Sequence, residues 1–267
     1  MKKKKNKHTF IVLAYKESKY LEESIKSVLN QSVSTNVVIG TSTPNKYIEK
    51  MAKKYKLKVI VNEDHRSIGG DYDFALKCVD SELITIAHQD DIYDYNYVET
   101  ILNLYEKNPN ASLLIPDYYE IKNGKKIYTN INFKIKKIML FPLRFKGINS
   151  TKFFKRLSIR FGDPICCPAV TFVQKRLPDK VFECELTCSV DWYAWEVLSR
   201  EKGAFAYCNK PIMGHRIHEE STTTKTISEN RRTKEDIYMF RKFWPECIAK
   251  FINKFYINAE KTNKVSK

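Results

Sequence analysis

Residues 9–32, TFIVLAYKESKYLEESIKSVLNQS, decide the fold class of this chain of 267 residues. The apolar run from Thr9 to Ala14 predicts a buried strand, and the apolar residues 21, 25, 28 and 29 then fall on one face of a helix. The same order repeats next, with a strand at 36–40, a helix around 48–55 and a strand at 58–61. This alternation is typical of βαβ units, and we expect an α/β fold on a mostly parallel sheet.

The alternation weakens in the second half of the chain. Before that point the patterns predict a short helix around 72–79, a strand at 83–87, a helix ending near Pro109, and a hairpin around Asn123-Gly124. Beyond it they predict a strand at 169–173, a helix at 191–201, a strand at 204–207 and a helical tail after about residue 231. No internal repeat and no Gly-rich or Pro-rich linker interrupts the sequence, so we expect one compact domain.

Composition and charge narrow the class of protein. Apolar residues make up 43% of the chain and aromatic residues 13%, which favours an ordered globular protein over a disordered one. The 47 Lys and Arg against 31 Asp and Glu give a net charge of +16, which favours anionic partners. No apolar run approaches the roughly 18 residues of a membrane span. Seven Cys without a tight repeat are typical of reduced thiols, and we expect a cytoplasmic location.

One stretch of the second half is strongly basic and amphipathic. Residues 134–160 contain nine Lys or Arg and no acidic residue, interleaved with Ile, Leu, Met and Phe. One interpretation is a surface that lies on an anionic membrane. The other is a helical subdomain that packs its apolar side chains internally and leaves its charges in solvent.

The residues after the fourth predicted strand are the first candidates for chemistry, because ligands of open parallel sheets bind beyond the carboxyl ends of the strands. These residues are His88, Gln89, Asp90 and Asp91. Two adjacent carboxylates beside a histidine suit a hard divalent cation that is shared with phosphate oxygens. The alternative is that Asp90 or Asp91 caps the helix that follows.

The second half contains a further acidic candidate and two histidines. Asp191 opens a predicted helix, where it is either a functional carboxylate or an N-cap. His215 and His218 could form a zinc site with Cys184 and Cys188, but their spacing misses the usual finger pattern. The chain has no Gly-rich phosphate loop and no Gly-X-Ser-X-Gly elbow, which argues against nucleotide hydrolysis, hydride transfer and α/β-hydrolase chemistry.

Four segments in this order resemble glycosyltransferase family 2, whose members have the GT-A fold, a Rossmann-like sheet with flanking helices, and use nucleotide-sugar donors. Residues 10–32 look like the family's first strand and helix, and IAHQDDIY at 86–93 stands where the family has its Asp-X-Asp motif. VDWYAW at 190–195 matches its Glu-Asp-Trp segment, and HRIHEEST at 215–222 matches its Arg-Ile-His-X-X-Ser ending.

The resemblance implies a role for each motif residue. Asp90 falls on the second Asp of Asp-X-Asp, a ligand of the Mn²⁺ or Mg²⁺ that bridges the donor diphosphate, and Asp91 follows as a supporting carboxylate. His218 falls where some GT-A enzymes contact the metal or the diphosphate. Asp191 falls on the general base of an inverting transfer. The other donor-binding residues are then expected at the strand ends, and they are Ala14, Tyr15, Glu17, Thr41, Ser42, His88 and Gln89.

The resemblance also implies an organisation and a setting. We expect a basic arm at 1–8, a glycosyltransferase domain at 9–225 and a helical basic tail at 226–267. Within the domain, residues 9–110 would bind the donor and 111–225 the acceptor, with the basic stretch as an insert. The expected donor is a UDP-sugar, and the expected acceptor is a saccharide or a lipid-linked molecule in surface polysaccharide or glycolipid synthesis. The expected location is the cytoplasm or the inner face of the cell membrane.

The sequence departs from the family pattern at three places. His88 replaces the first Asp of Asp-X-Asp, TSTPN at 41–45 replaces the usual Asp-Asp-Gly-Ser, and Val190 replaces the acidic residue before Asp191. Three alternatives therefore stay open, namely a nucleotidyltransferase-like enzyme, a catalytically degenerate relative, and a basic nucleic-acid-binding protein. The first strand lacks a Gly-rich nucleotidyltransferase signature and the chain has no recognisable nucleic-acid module, so we expect no specific nucleic acid. An oligomer is compatible with the sequence.

Overall fold

The computed structural model describes residues 6–64, 67–218 and 231–261 of the chain, with side chains described from Lys7 to Ile257 within these ranges. The lysines of the predicted basic arm at 2–5 lie outside the described residues, as does the end of the HRIHEEST motif at 219–222. The predicted boundary between domain and tail at 225 and 226 also lies outside them.

The first half consists of alternating strands and helices, as the sequence predicts. Its elements are β1 (Asn6–Ala14), α1 (Leu21–Leu29), β2 (Asn36–Thr41), α2 (Lys46–Tyr55), β3 (Lys58–Val61), α3 (Ile68–Lys77), β4 (Ser81–His88), β5 (Ile92–Tyr93) and α4 (Tyr97–Lys107). Helices α2 and α3 have side-chain N-caps. The Asn45 side chain accepts the N–H of Ile48, and the Ser67 hydroxyl accepts the N–H of Gly70. The strand β1 begins three residues earlier than predicted, so His8 belongs to the sheet and not to the basic arm.

The second half is less regular. Its elements are β6 (Ala111–Lys122), β7 (Lys125–Ile127), α5 (Ile131–Leu140), α6 (Lys152–Ile159), β8 (Thr171–Val173), α7 (Val190–Arg200), β9 (Ala204–Ile217), α8 (Arg231–Arg241) and α9 (Glu246–Lys261), with short 3-10 turns at 141–144, 148–150, 167–169 and 174–176. The predicted hairpin is confirmed, because Asn123 and Gly124 both have positive φ between β6 and β7. The predicted tail is two helices, and β9 is 14 residues long where the pattern predicted a short strand.

The described strands form one mixed sheet in the order β3-β2-β1-β4-β8-β6-β9-β5, with β7 paired to β6. Strands β1 to β4 are parallel to one another, and β6 is parallel to β9. The short strand β8 joins these two parallel groups because it is antiparallel to both β4 and β6. The carboxyl ends of β1, β2 and β4 therefore meet at one edge of the sheet.

Both faces of the sheet are covered, which explains why β1 and β4 are nearly continuous apolar runs. On one face Ile11 and Ile84 belong to a cluster that contains Trp192 and Trp195 of α7. On the other face Phe10 packs in a cluster with residues of α1, α2 and α4. Because α7 packs directly on the sheet, its first turn is held at a defined place relative to β4.

Candidate functional site

The His88-Gln89-Asp90-Asp91 segment forms a turn between β4 and β5. The N–H of Asp91 donates to the carbonyl of His88 (3.3 Å), and the Ser24 hydroxyl of α1 donates to the same carbonyl (3.1 Å). The helix α4 begins only at Tyr97, after β5. The capping alternative for the two aspartates is therefore wrong, and both carboxylates are available for other contacts.

Asp91 is fully buried and is held by β9. Its carboxylate contacts Nδ1 of His215 at 3.1 and 3.3 Å and accepts the N–H of Arg216 at 2.8 Å. The pairing of β5 with β9, with Ile92 opposite Gly214, brings these residues together. Burial lowers the pKa of His215, but the charge of Asp91 and its hydrogen bond outweigh burial and raise the pKa to about 9. His215 is therefore an imidazolium at neutral pH, and it balances the buried carboxylate.

Asp90 faces the end of β9. Its Oδ2 lies 2.8 Å from Nε2 of His218, while its carbonyl accepts Nε of Arg216 (2.9 Å). Burial alone would raise the pKa of Asp90, but the His218 hydrogen bond and the charges of His88 and His215 lower it overall. Asp90 is therefore a carboxylate at neutral pH.

Arg216 extends the network to α1. Its Nη2 pairs with Oε2 of Glu23 at 2.6 Å, and its guanidinium lies 4.4 Å from the ring centroid of Tyr20. The Tyr20 ring in turn lies 5.0 Å from the ring of His218. Of the HRIHEEST motif, the resemblance assigned a role to His218 only. In the structure His215 contacts Asp91, and Arg216 contacts both Asp90 and Asp91.

His88, which replaces the family's first Asp, contacts a residue that the sequence analysis missed. Its Nε2 lies 3.0 Å from the hydroxyl of Tyr72, and the two rings are stacked. Burial raises the pKa of Tyr72, with smaller contributions from the charges of Asp191, Asp90 and Asp91. Tyr72 is therefore a neutral phenol, and it lies close enough to Asp90, Asp91 and Asp191 for their charges to raise its pKa. No local pattern in the sequence marks it.

Three of these side chains are close enough to share a cation. His88, Asp90 and Asp91 each offer one ligand atom, and these atoms lie within 4.8 Å of one another. Carboxylate oxygens are the ligands that Mg²⁺ and Mn²⁺ prefer, so Asp90 and Asp91 fit the metal that the resemblance implies, with the His88 imidazole beside them. Within the described residues no comparable group forms from Cys184 or Cys188, and the zinc interpretation is wrong.

The predicted donor residues near the end of β1 meet the β4 turn. The Gln89 side chain forms a two-way pair with Tyr15, accepting its N–H (3.0 Å) and donating to its carbonyl (3.1 Å). Lys16 is in the left-handed region, with φ 55°, and its N–H donates to Oγ1 of Thr43. Ala14 is buried, whereas Tyr15 and Glu17 are exposed on the loop that leads to α1.

A carboxylate lies beside the end of β2 although the strand itself supplies none. Asp71 of α3 accepts the Ser42 hydroxyl at 2.9 Å and the Asn62 side-chain amide at 2.8 Å. Thr41 is buried, and its hydroxyl accepts the N–H of Thr43. The family's Asp at this strand end is thus missing from the sequence motif, but α3 brings an acidic group to the same place.

Asp191 lies in the first turn of α7. Ser189 occupies the N-cap position, so Asp191 is not the cap, although its Oδ1 accepts the N–H of Trp192 at 2.9 Å. The side chain is half-buried. Trp192 itself is buried and donates its ring N–H to the carbonyl of Ile159 (2.9 Å), which anchors this turn on α6.

The segment at 163–167 lies close enough to Asp91 and to Asp191 for both charges to affect the pKa values of its side chains. Burial raises the pKa of the Cys166 and Cys167 thiols, and the charges of Asp91 and Asp191 raise both further. Burial and then the charge of Asp191 raise the pKa of Asp163. Asp191 and Asp91 therefore act on the same buried thiols, although they lie 100 positions apart in the sequence.

The sequence and the fold correspond to a known family. The family model described as glycosyl transferase family 2 matches residues 9–177. The chain belongs to glycosyl transferase family 2. It is also 24% identical over 263 residues to an uncharacterized glycosyltransferase of Haemophilus influenzae, covering 96% of this chain and 77% of the relative.

Solved structures of S. aureus TarS share the fold of this family 2 chain. TarS 1–349 in complex with UDP-GlcNAc superposes with a TM-score of 0.63 at 16% identity, covering 94% of this chain and 72% of the TarS chain. TarS 1–349 in complex with UDP gives 0.61 at 15% identity, with 94% and 71% covered. The GT-A fold expected from the sequence is confirmed, and the chain is a glycosyltransferase by family.

The basic stretch at 134–160 divides between the two interpretations of its sequence. Leu140 and Leu143 are buried, as the subdomain interpretation requires, but Lys155 is also fully buried, whereas that interpretation leaves the charges in solvent. Five large apolar side chains are nevertheless exposed among the charges, and they are Ile135, Ile138, Phe141, Phe145 and Phe153. Among the residues that the structure describes, no helix is long and apolar enough to cross a bilayer.

Proposed function

We propose that this glycosyltransferase moves a sugar from a UDP-sugar to an acceptor hydroxyl with inversion at the anomeric carbon. The observation that carries the proposal is that Asp90 and Asp91 at the β4 turn and Asp191 at the start of α7 lie close enough to Tyr72 for the charges of all three to raise its pKa. UDP as the nucleotide is supported by the TarS complexes with UDP-GlcNAc and UDP. In this proposal residues 9–110 bind the donor and 111–225 bind the acceptor.

Asp191 is the general base of the proposed reaction. The acceptor oxygen forms a bond to C1 of the sugar while the bond from C1 to the diphosphate oxygen breaks, and the hydroxyl proton passes to Asp191. A positioned base of this kind contributes about 10²–10⁴ in rate. The half-buried carboxylate keeps one oxygen on the N–H of Trp192, which fixes its orientation.

Asp90, Asp91 and His218 are the proposed residues for the metal side of the donor site, with His88 contributing its imidazole. A bound Mg²⁺ or Mn²⁺ would neutralise charge on the departing diphosphate. The chain itself places cations there, because His215 and Arg216 hold the two aspartates in position. Ala14, Tyr15, Glu17, Thr41, Ser42 and Gln89 border the nucleotide in this proposal.

Asp71 is the proposed substitute for the family's base-reading Asp. A carboxylate accepts the imide N–H of uracil, and Asp71 lies beside Ser42 at the strand end where that group is expected. Asp71→Asn should weaken binding of UDP more than binding of ADP or GDP. An equal loss for the three nucleotides would contradict this role.

The test of the transferase is a comparison of Asp191→Asn with Asp179→Asn, an exposed aspartate on the segment between β8 and α7. A panel of nucleoside diphosphates with and without Mn²⁺ first identifies the base, because a ligand at 100 times its dissociation constant stabilises the protein by about 2.7 kcal/mol. Release of UDP from UDP-sugars is then measured. We expect Asp191→Asn to bind UDP normally and to lose turnover about 100-fold or more. Full turnover in this variant would contradict the assignment of Asp191 as the base.

We further propose that the enzyme works in the cytoplasm at the inner face of the membrane, on a lipid-linked acceptor for surface polysaccharide or glycolipid synthesis. The support is the exposed apolar set within a stretch that has no acidic residue. Each Lys or Arg near an anionic surface contributes roughly 1 kcal/mol. We expect sedimentation with phosphatidylglycerol vesicles at low salt, reduced in Ile138→Asn/Phe153→Asn and unchanged in Tyr95→Asn, whose exposed ring lies outside the stretch. Absence of sedimentation would remove the proposal.

A further inference from the structure

The carboxylate of Glu235 on α8 binds the segment that precedes α7. Both of its oxygens accept the N–H of Thr187 at 3.1 Å, and Oε2 also accepts the N–H of Cys188 (2.7 Å) and of Ser189 (3.1 Å). The Thr187 hydroxyl donates to Oε1 at 3.0 Å. Three successive backbone N–H groups thus converge on one side chain, which is the geometry of an anion held in a backbone nest.

A second acidic residue of α8 supports the same segment. The Ser189 hydroxyl donates to Oδ1 of Asp236 at 3.0 Å, and both Glu235 and Asp236 are buried. Burial would raise the pKa of Glu235, but the hydrogen bonds from residues 187–189 lower it overall. Glu235 is therefore charged at neutral pH, and its bonds to the backbone are of the stronger, charge-assisted kind.

This contact lies directly before the proposed base. Residues 187–189 lead into α7, and Asp191 is the second residue of that helix. The α6 side of the same turn is held by the ring N–H of Trp192 on the carbonyl of Ile159. The turn that carries Asp191 is therefore fixed from two directions, by α6 and by α8.

We propose that Glu235 is a positioning residue for Asp191, which makes α8 part of the catalytic unit; the inference rests on the proposed function of Asp191. Glu235 acts by fixing residues 187–189, and these fix the first turn of α7. The proposed donor residues lie on or beside β1, β2, β4 and β9. In the part of the chain that the structure describes, the Glu235 carboxylate binds residues 187–189 and Arg231, and none of these is a proposed donor residue. Loss of Glu235 should therefore affect turnover and leave donor binding intact.

The direct test is Glu235→Gln in the full chain. The amide keeps the shape of the side chain, but one of its two ends becomes a donor and faces N–H groups that need an acceptor. A misplacement of about 1 Å in a catalytic group costs about 10²-fold in rate. We therefore expect kcat for UDP release to fall about 10- to 100-fold.

The readouts separate positioning from simple loss of structure. We expect KM for the UDP-sugar and the thermal stabilisation by UDP to stay within about twofold of the wild type, while hydrogen exchange at the amides of residues 187–189 becomes faster. The matched control is Glu246→Gln, which removes an exposed carboxylate that pairs with Lys250 on α9. The control should leave kcat, KM and the exchange at 187–189 unchanged.

A second variant keeps the proposal testable if Glu235→Gln does not fold. Thr187→Val removes the hydroxyl bond to Glu235, together with a weak contact to the Cys188 sulfur at 3.7 Å, and leaves the backbone bonds of residues 187–189 in place. The loss of one such bond should lower kcat by about 2- to 10-fold. An unchanged kcat in Thr187→Val, with Glu235→Gln insoluble, would overturn the proposal.

The remaining outcomes distinguish this inference from the proposed function. If Glu235→Gln keeps kcat within about twofold while Asp191→Asn loses turnover, the positioning role is wrong and the base assignment stands. If kcat and UDP binding fall together, Glu235 supports the fold as a whole and the positioning role is wrong. If Asp191→Asn keeps full turnover, the proposed function fails and this inference fails with it.

Discussion

Substitution by alanine at the adjacent glycines Gly69 and Gly70, at the start of α3, should change the stability of the protein in opposite directions. Gly69 is buried against the loop at 181–183, and a Cβ added there would lie 2.2 Å from the carbonyl oxygen of Phe182 and 2.9 Å from its carbonyl carbon. Among the residues that the structure describes, a Cβ added at Gly70 would come within 4 Å of the Ser67 hydroxyl oxygen only, at 3.4 Å. The first contact is impossible without movement, and the second is ordinary.

The surrounding bonds set the magnitude. The loop cannot easily retreat, because Asp73 of α3 accepts the N–H groups of Val181, Phe182 and Glu183 at 2.9–3.1 Å. Overpacking of a rigid contact costs about 1–3 kcal/mol, and the clash in Gly69→Ala is with backbone, so we expect a loss at the upper end. Gly70→Ala should instead stabilise the protein by about 0.4–1 kcal/mol, because alanine loses less conformational entropy in a helix.

The assay is equilibrium unfolding in urea with the m-value monitored for both variants. A constant m-value assigns any change in midpoint to stability. We expect Gly69→Ala to unfold at lower urea than the wild type and Gly70→Ala at slightly higher urea. The reasoning is refuted if the Gly69 variant is as stable as the wild type, or if both variants shift in the same direction.

Three further changes test buried polar groups. Asp73→Ala leaves two buried backbone N–H groups unpaired and should cost about 2–5 kcal/mol in urea unfolding, whereas Asp179→Ala on the surface should stay within about 0.5 kcal/mol. Burial lowers the pKa of Lys155 from 10.5 to about 8, so the unfolded chain keeps this proton to higher pH. The wild type should therefore gain stability as the pH rises from 8 to 10.5, and Lys155→Met should lack this gain. The control Lys152→Met, an exposed change on the same helix, should keep the gain of the wild type. Burial lowers the pKa of His8 to about 3, so the unfolded chain takes up this proton first and the wild type should lose stability as the pH falls from 6.5, a loss that is absent in His8→Gln. A parallel pH dependence in wild type and variant would contradict either titration.

Local patterns predicted most of the first half of the fold. The period and length of the apolar pattern indicate that the residues of β1 and α1 are buried, and this pattern can be recognised from neighbouring residues in the sequence. The placement of His88, Gln89, Asp90 and Asp91 at a strand end was also predictable, because a parallel sheet brings its carboxyl ends to one edge. The family followed from the order of four such motifs.

The sequence alone determined which residue types stand at the ends of the strands, because strand and helix periods are local properties of the chain. Only the tertiary structure decided what those residues contact. Asp91 meets His215 across 124 positions, and Ser189 meets Glu235 across 46. Asp71 reaches the end of β2 from a different helix. Such pairings depend on how the β5 and β9 strands and the α8 helix pack, and packing is set by the shapes of distant side chains that carry no periodic signal.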